Sequence, residues 1–165
     1  MSDLLRGVAD KPFLYLAAPL FSVGEKRFNE EISSLLGRYF TVYLPQRDGG
    51  LFVDLIDRGH SKQEAINQVF SIDIKALDQA HVVLAILDGR AIDEGVALEI
   101  GYAYALKKPC FGLQTDPRRL LPAGNNPMIS GVLSKVVSRV DDLHDLSREI
   151  LESLRQGVAT NATPR

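Results

Sequence analysis

The side chains in this sequence that can do chemistry are carboxylates set among apolar residues. Asp73 lies three and four positions from Phe70, Val69 and Leu77, within the stripe these form with Ile66. Helical spacing puts Asp73 in the middle of that stripe rather than on the wet face, where an unpaired carboxylate is costly. The alternative is a helix rotated enough to leave Asp73 at a rim. Glu99 is the one charge in residues 95–106, a segment apolar nearly all round and so expected to be a largely buried helix. It stands within two turns of the helix start, where the dipole favours an anion. A carboxylate kept ionised at the end of a cleft is a nucleophile or a base; the alternative is a half-exposed Glu paired with a lysine. Asp88 and Asp93 follow an apolar run at residues 81–87. Asp93 also fits a helix N-cap, Asp88-Gly89 fits a turn, and Glu94 fits a first-turn residue that offsets the helix dipole.

Two carboxylates with separate roles are what glycosyl chemistry requires. One attacks or stabilises the anomeric carbon and the other manages the proton of the leaving group. A carboxylate cluster also suits Mg²⁺, which prefers oxygen ligands, and that is the competing reading of the same residues.

The elements that must position these groups alternate along the chain. Apolar runs at residues 13–18, 40–44, 81–87, 109–114 and 135–140 read as strands. Residues 25–39 have helical spacing, with Phe28, Ile32, Leu35 and Leu36 on one face. Ser61 with Glu64 forms a capping box opening a helix to about residue 79. Asp93 opens a helix reaching about residue 108, and residues 141–156 form the closing helix. Residues 46–59 read as a loop broken by Gly49-Gly50, and residues 116–131 as a long connection of the kind that carries function. Apolar strands alternating with helices predict a single-domain α/β fold, a doubly wound five-stranded parallel sheet with flavodoxin-like (Rossmann-like) strand order. Ligands then bind at the carboxyl ends of the strands, after Ala18, Leu44 and Leu87. The domain is expected over residues 12–156, with a flexible N-terminus over 1–11 and a flexible tail over 157–165.

Composition narrows the function classes. The chain has 165 residues, 45% of them hydrophobic and 24% charged, which is enough for one core. With 19 Lys plus Arg against 21 Asp plus Glu, no basic field exists to hold a nucleic acid. The lone Cys110 and three scattered histidines argue against a disulfide framework and against a cysteine- or histidine-built metal site. No signal peptide or membrane span is evident, so a cytoplasmic protein without a membrane partner is expected.

With their neighbours, these residues resemble the nucleoside 2-deoxyribosyltransferase family. The matching segments are Tyr15-Leu16-Ala17-Ala18-Pro19-Leu20-Phe21, then Asp73, then Asp88-Gly89, then Asp93-Glu94-Gly95-Val96-Ala97-Leu98-Glu99-Ile100-Gly101-Tyr102-Ala103, and later Asn126-Pro127-Met128 with Gly131. The resemblance covers residues 13–140. It implies that Glu99 attacks the anomeric carbon of a 2′-deoxynucleoside to give a covalent deoxyribosyl-enzyme. Tyr15 would orient Glu99, and Asp73 and Asp93 would bind the base and handle its proton. Phe21 would stack on the base, with Asp88 and Gly89 nearby. A second purine or pyrimidine base would then attack the same face, with retention. Asn126, with Met128 beside it, would reach the sugar 5′-hydroxyl in a neighbouring subunit, which implies a homo-oligomer, dimer to hexamer, with shared active sites. No metal or organic cofactor is implied. Loops in the region of Arg47-Asp48-Gly49-Gly50 would shape the base pocket.

Three rival readings remain at this point. A related hydrolase cleaves the N-glycosidic bond of nucleoside 5′-monophosphates, and needs a phosphate pocket after the first strand. Here that loop carries Ser22, Lys26 and Arg27, but also Glu25, which repels phosphate. A non-catalytic nucleotide sensor could use the same scaffold. An Mg²⁺-dependent phosphohydrolase would use the carboxylates as ligands.

Overall fold

The computed structural model describes residues 11–50, 52–118 and 124–156. Five parallel strands, β1 (Phe13–Ala17), β2 (Thr41–Tyr43), β3 (Val82–Ile86), β4 (Cys110–Leu113) and β5 (Lys135–Val137), form one sheet in the order β2-β1-β3-β4-β5. This is the flavodoxin-like order expected from the alternation of elements. The strand order reverses at β1, so the ends of β1 and β3 border the crevice where such sheets bind ligands. The expectations for residues 1–10 and 157–165 lie outside the described residues.

The helices are α1 (Val23–Leu36), α2 (Phe52–Asp57), α3 (Lys62–Gln79), α4 (Glu94–Ala105), α5 (Pro127–Val132) and α6 (Leu143–Arg155). Helix α1 starts two residues before the expected position, because Ser22 and Glu25 form a capping box. Ser22 Oγ accepts from the Glu25 N–H, and Glu25 Oε2 accepts from the Ser22 and Phe21 N–H groups. The Ser61–Glu64 box opens α3 as expected. Helix α4 ends before residue 108, where Lys107 takes a left-handed φ of 58°.

Residues 46–59 differ from the expected loop. A π-helical turn, Pro45–Gly49, is followed by Gly50 at φ 79° and then by α2. Gly50 does break the chain direction, but the segments on either side of it are helical. Arg47 fastens the turn: its guanidinium donates to the Val42 carbonyl, Ser33 Oγ and Asp48, and Asp48 Oδ2 accepts from the Leu44 N–H. Within residues 116–131, α5 occupies the end of the expected connection.

Each face of the sheet carries its own core. Leu14, Leu16, Val82, Leu84, Ile86 and Leu113 pack with α1 and α6. Tyr15, Ala17, Val83, Ala85 and Leu87 pack with α3 and α4. This division follows from the two-residue repeat of a strand. Helix α4 does not meet the expectation of near-complete burial. It buries Val96, Ile100 and Ala103, while Leu98 is 61% exposed and Tyr104 45% exposed. One face satisfies the sheet, α3 and α5 flank the helix, and Leu98 and Tyr104 stay exposed.

Candidate functional site

Tyr15 ends up beneath the crevice because β1 alternates. Leu14 and Leu16 face one core and Tyr15 the other, where it is fully buried. Its hydroxyl donates to Glu99 Oε1 at 2.5 Å, which satisfies a phenol that would otherwise be stranded. Burial, with Glu99 and Asp73 close by, pushes the Tyr15 hydroxyl far above its ordinary range, so it stays a donor. Glu99 reaches this point from α4, between the buried Val96 and Ile100 turns. Burial raises its pKa from 4.5 to about 8, opposed by the Tyr15 hydrogen bond and reinforced by Asp73 and Asp93.

Asp73 comes from α3 on the opposite wall. Its Oδ1 accepts from the Tyr43 hydroxyl at 2.8 Å, and burial raises its pKa against the pull of that bond. The apolar stripe expected around Asp73 is present but only Leu77 at its end is core: Ile66, Val69, Phe70 and Leu77 line a cavity of about 320 Å³ together with Asp73, Glu99, Phe52, Leu98 and Tyr102. Phe70 is 56% exposed at its mouth. Most of the stripe on α3 is therefore the wall of a pocket, with Leu77 continuing into the core, and Asp73 is half-buried in it.

The other expected residues divide into two groups. Asp93 is a cap: its Oδ1 accepts from the Gly95 and Val96 N–H groups, while its charge still acts on Glu99. Phe21 lies beyond the end of β1, 79% exposed. Asp88 and Gly89 follow β3 outside the cavity lining, and the Asp88 carboxylate is taken up by the Thr115 and Asp116 N–H groups and the Thr115 hydroxyl. Asn126 caps α5 by accepting from the Met128 N–H, and Met128 is 76% exposed. Neither of these last two lines the cavity of its own chain. Among the described residues no group of three or more His, Cys, Asp or Glu side chains is arranged to hold a metal ion.

Sequence reasoning missed Tyr43, and named Gly49 only as a loop breaker in the region that would shape the base pocket. Tyr43 pairs in register with Tyr15 across the β1–β2 ladder, and the two rings stack with centroids 5.2 Å apart, an arrangement worth about 0.5–1.5 kcal/mol beyond burial. Gly49 closes the π-helical turn against this pair. A Cβ there would stand 2.6 Å from Asp73 Oδ1 and 2.8 Å from the Tyr43 hydroxyl. The available signal was a tyrosine in each of two neighbouring strands, Tyr15 in the middle of β1 and Tyr43 at the end of β2. Nothing in residues 46–59 announced the turn that brings Gly49 in.

The arrangement thus sets two carboxyls in one apolar pocket, each held by the hydroxyl of its own buried tyrosine, with the Asp73 charge close enough to raise Glu99. A family model described as nucleoside 2-deoxyribosyltransferase matches residues 14–154. An uncharacterised protein of Ureaplasma parvum is 34% identical over 98 residues, 58% of this chain and 61% of that protein; this chain therefore spans less than two thirds of the curated relative it matches. Among solved structures, a conserved protein from Enterococcus faecalis V583 is similar with a TM-score of 0.68 and 26% identity, over 86% of this chain and 98% of that one. The 2-deoxyribosyltransferase from the psychrotolerant Bacillus psychrosaccharolyticus is similar with a TM-score of 0.64 and 23% identity, over 81% and 90% of the two chains. The Clostridium botulinum CMP N-glycosidase is similar with a TM-score of 0.54 and 16% identity, over 83% and 98%. The latter two likenesses show the fold alone.

Proposed function

The chain belongs to the nucleoside 2-deoxyribosyltransferase family, and from that premise we propose that it exchanges the base of 2′-deoxynucleosides through a covalent intermediate on Glu99. The observation that carries this is the pairing of Glu99 with Asp73 in one apolar pocket. Glu99 attacks C1′ of the donor, and the bond from C1′ to the base nitrogen breaks with its electron pair going to the base. Asp73 gives the departing base a proton and becomes a carboxylate. A second base then attacks C1′ of the deoxyribosyl-Glu99 ester from the face the first one left, returning its proton to Asp73. Two inversions give retention.

Tyr15 orients Glu99 through its hydrogen bond. Asp73 is the better proton donor of the two aspartates, since Asp93 Oδ1 is spent on the α4 cap; Asp93 tunes Glu99 by its charge. Phe21, exposed beyond β1, stacks on the base. Asp88 and Gly89 shape the rim by tying the loops after β3 and β4 together. Asn126 and Met128, remote from their own cavity, serve the site of a neighbouring copy. The uncovered apolar side chains of α4 and of the cavity mouth supply the surface for such a homo-oligomer.

A nucleoside fits better than a nucleotide. The N–H groups of Phe21 and Ser22, the donors a phosphate after β1 would use, are already engaged by the Glu25 carboxylate. Among the described residues no Lys or Arg lines the cavity.

The direct assay incubates the protein with 2′-deoxyinosine or thymidine plus excess adenine, with a no-acceptor control, and follows products by chromatography. A 2′-deoxyadenosine peak is expected. Free base and deoxyribose alone identify a hydrolase, to be retested on nucleoside 5′-monophosphates; no turnover of any of these identifies a binding protein.

A further inference from the structure

We propose that Tyr43 is a positioning residue for Asp73, and that its hydroxyl stabilises the carboxylate left when Asp73 gives its proton to the departing base. This rests on the base-exchange reading above. The geometry consists of three observations. Tyr43 donates to Asp73 Oδ1 at 2.8 Å, and Asp73 has no other side-chain hydrogen bond among the described residues. The Tyr43 ring lies on the ring of Tyr15, at 5.2 Å and 25° between planes, while Tyr15 holds Glu99. Gly49, lacking a Cβ, lets the π-helical turn close over the bond between Tyr43 and Asp73.

Each of the two carboxyls therefore has a private phenol donor, and the two donors brace one another. Among the described residues no Lys or Arg lines the cavity, and the growing negative charge on Asp73 has this hydroxyl as its hydrogen-bond partner. A hydrogen bond to an ionised group is stronger than one to a neutral group, so the bond tightens as the proton leaves, which is where a rate is gained. Its second oxygen is the one left to exchange the proton. The groups that face Asp73 and its partner are Tyr15 from β1, Glu99 from α4, and Asp48 from the π-helical turn, which acts on Tyr43; Asp93 at the α4 cap acts on Glu99.

The test compares initial rates of base exchange for wild type, Tyr43→Phe, Asp73→Asn and the double variant on two donors. One is 2′-deoxyinosine, whose base leaves with a proton from the enzyme. The other is 7-methyl-2′-deoxyguanosine, whose base already carries a positive charge and leaves without one. On 2′-deoxyinosine, Tyr43→Phe is expected to lower kcat roughly 10- to 100-fold with KM nearly unchanged. On the methylated donor the loss is expected to stay below about 3-fold. The double variant should be no slower than Asp73→Asn, and the acid limb of the pH profile should move upward in Tyr43→Phe. Gly49→Ala pushes into the same bond from the other side and should show the same donor dependence, which covers a Tyr43→Phe protein that folds poorly. Equal losses on both donors, or independent losses in the double variant, would assign Tyr43 a packing role only and overturn the inference. Wild-type protein that exchanges neither donor would instead remove the base-exchange reading itself, whatever Tyr43 does, and Glu99→Ala at the wild-type rate would remove the covalent step on Glu99.

Discussion

Strand β1 serves different ends on its two faces. Toward α1 and α6 it presents Leu14 and Leu16 to a core of large aliphatic side chains from β3, β4 and both helices. Toward α3 and α4 it presents Tyr15 and Ala17, among Ala76, Ala80, Ala85 and Ala103. Small side chains on that second face leave room for two stacked tyrosines, and the tyrosine hydroxyls support two carboxyls. The first face maximises dispersion and burial. The second accepts a desolvated carboxyl whose pKa is raised to about 8, a cost to folding that only a function would maintain.

This contrast can be broken at single residues. The largest expected effect is Glu99→Ala, which should lower base exchange by at least about 10³-fold and leave the fold intact, as read by chromatography and circular dichroism. On the opposite face, Leu16→Ala should do the reverse. It should lower stability by about 2–5 kcal/mol in denaturant titration, while the protein that remains folded keeps its kcat. Tyr15→Phe keeps the buried ring and removes the donor to Glu99. It should lower kcat roughly 10- to 100-fold while changing stability by about 1 kcal/mol or less.

The titration of the site sharpens the comparison further. Glu99 and Asp73 together need to hold one proton: burial keeps it on Glu99 at rest, and the reacting form is the tautomer in which Asp73 holds it and Glu99 is ionised to attack. The last proton leaves as pH rises through about 8, so kcat/KM should fall above that pH, and should fall again in acid as both carboxyls protonate. Stability carries the matching signature. The folded-state pKa of Glu99 lies above its ordinary value of 4.5, so its cost is absent below that value and grows as pH rises toward 8. Glu99→Gln should therefore be more stable than wild type by roughly 1–3 kcal/mol at pH 8 and nearly equal to it at pH 4.5. Thermal melts at the two pH values would check this. The smallest effect belongs to the α1 cap: Glu25→Gln should cost about 0.5–1 kcal/mol without changing base exchange of nucleosides.

Much of this division could be read before any coordinates. Strand and helix order followed from apolar runs and caps because each depends on neighbours within a few residues. Asp73 and Glu99 stood out because each interrupts an apolar pattern, and a pattern interrupted in a pocket wall looks the same in sequence as one interrupted in a core. That ambiguity explains why the stripe on α3 and the apolar girdle of α4 read as buried when both are partly open. Tyr43 and Gly49 were illegible for a different reason. Their importance depends on β2 pairing in register with β1, a long-range fact, and on a π-helical turn held by Arg47, which has no recognisable local pattern. Asp93 was ambiguous between cap and acid, and the structure shows its cap geometry directly.

The claim most exposed to test is that Glu99 carries the sugar. Protein mixed with 2′-deoxyinosine and no acceptor base, quenched in acid within the first turnover and digested, should yield a peptide spanning Glu99 that is heavier by one deoxyribosyl unit, as read by mass spectrometry. Adding adenine before the quench should remove that mass and release 2′-deoxyadenosine. Base exchange at full rate with no adduct on any peptide, and undiminished in Glu99→Ala, would contradict the account.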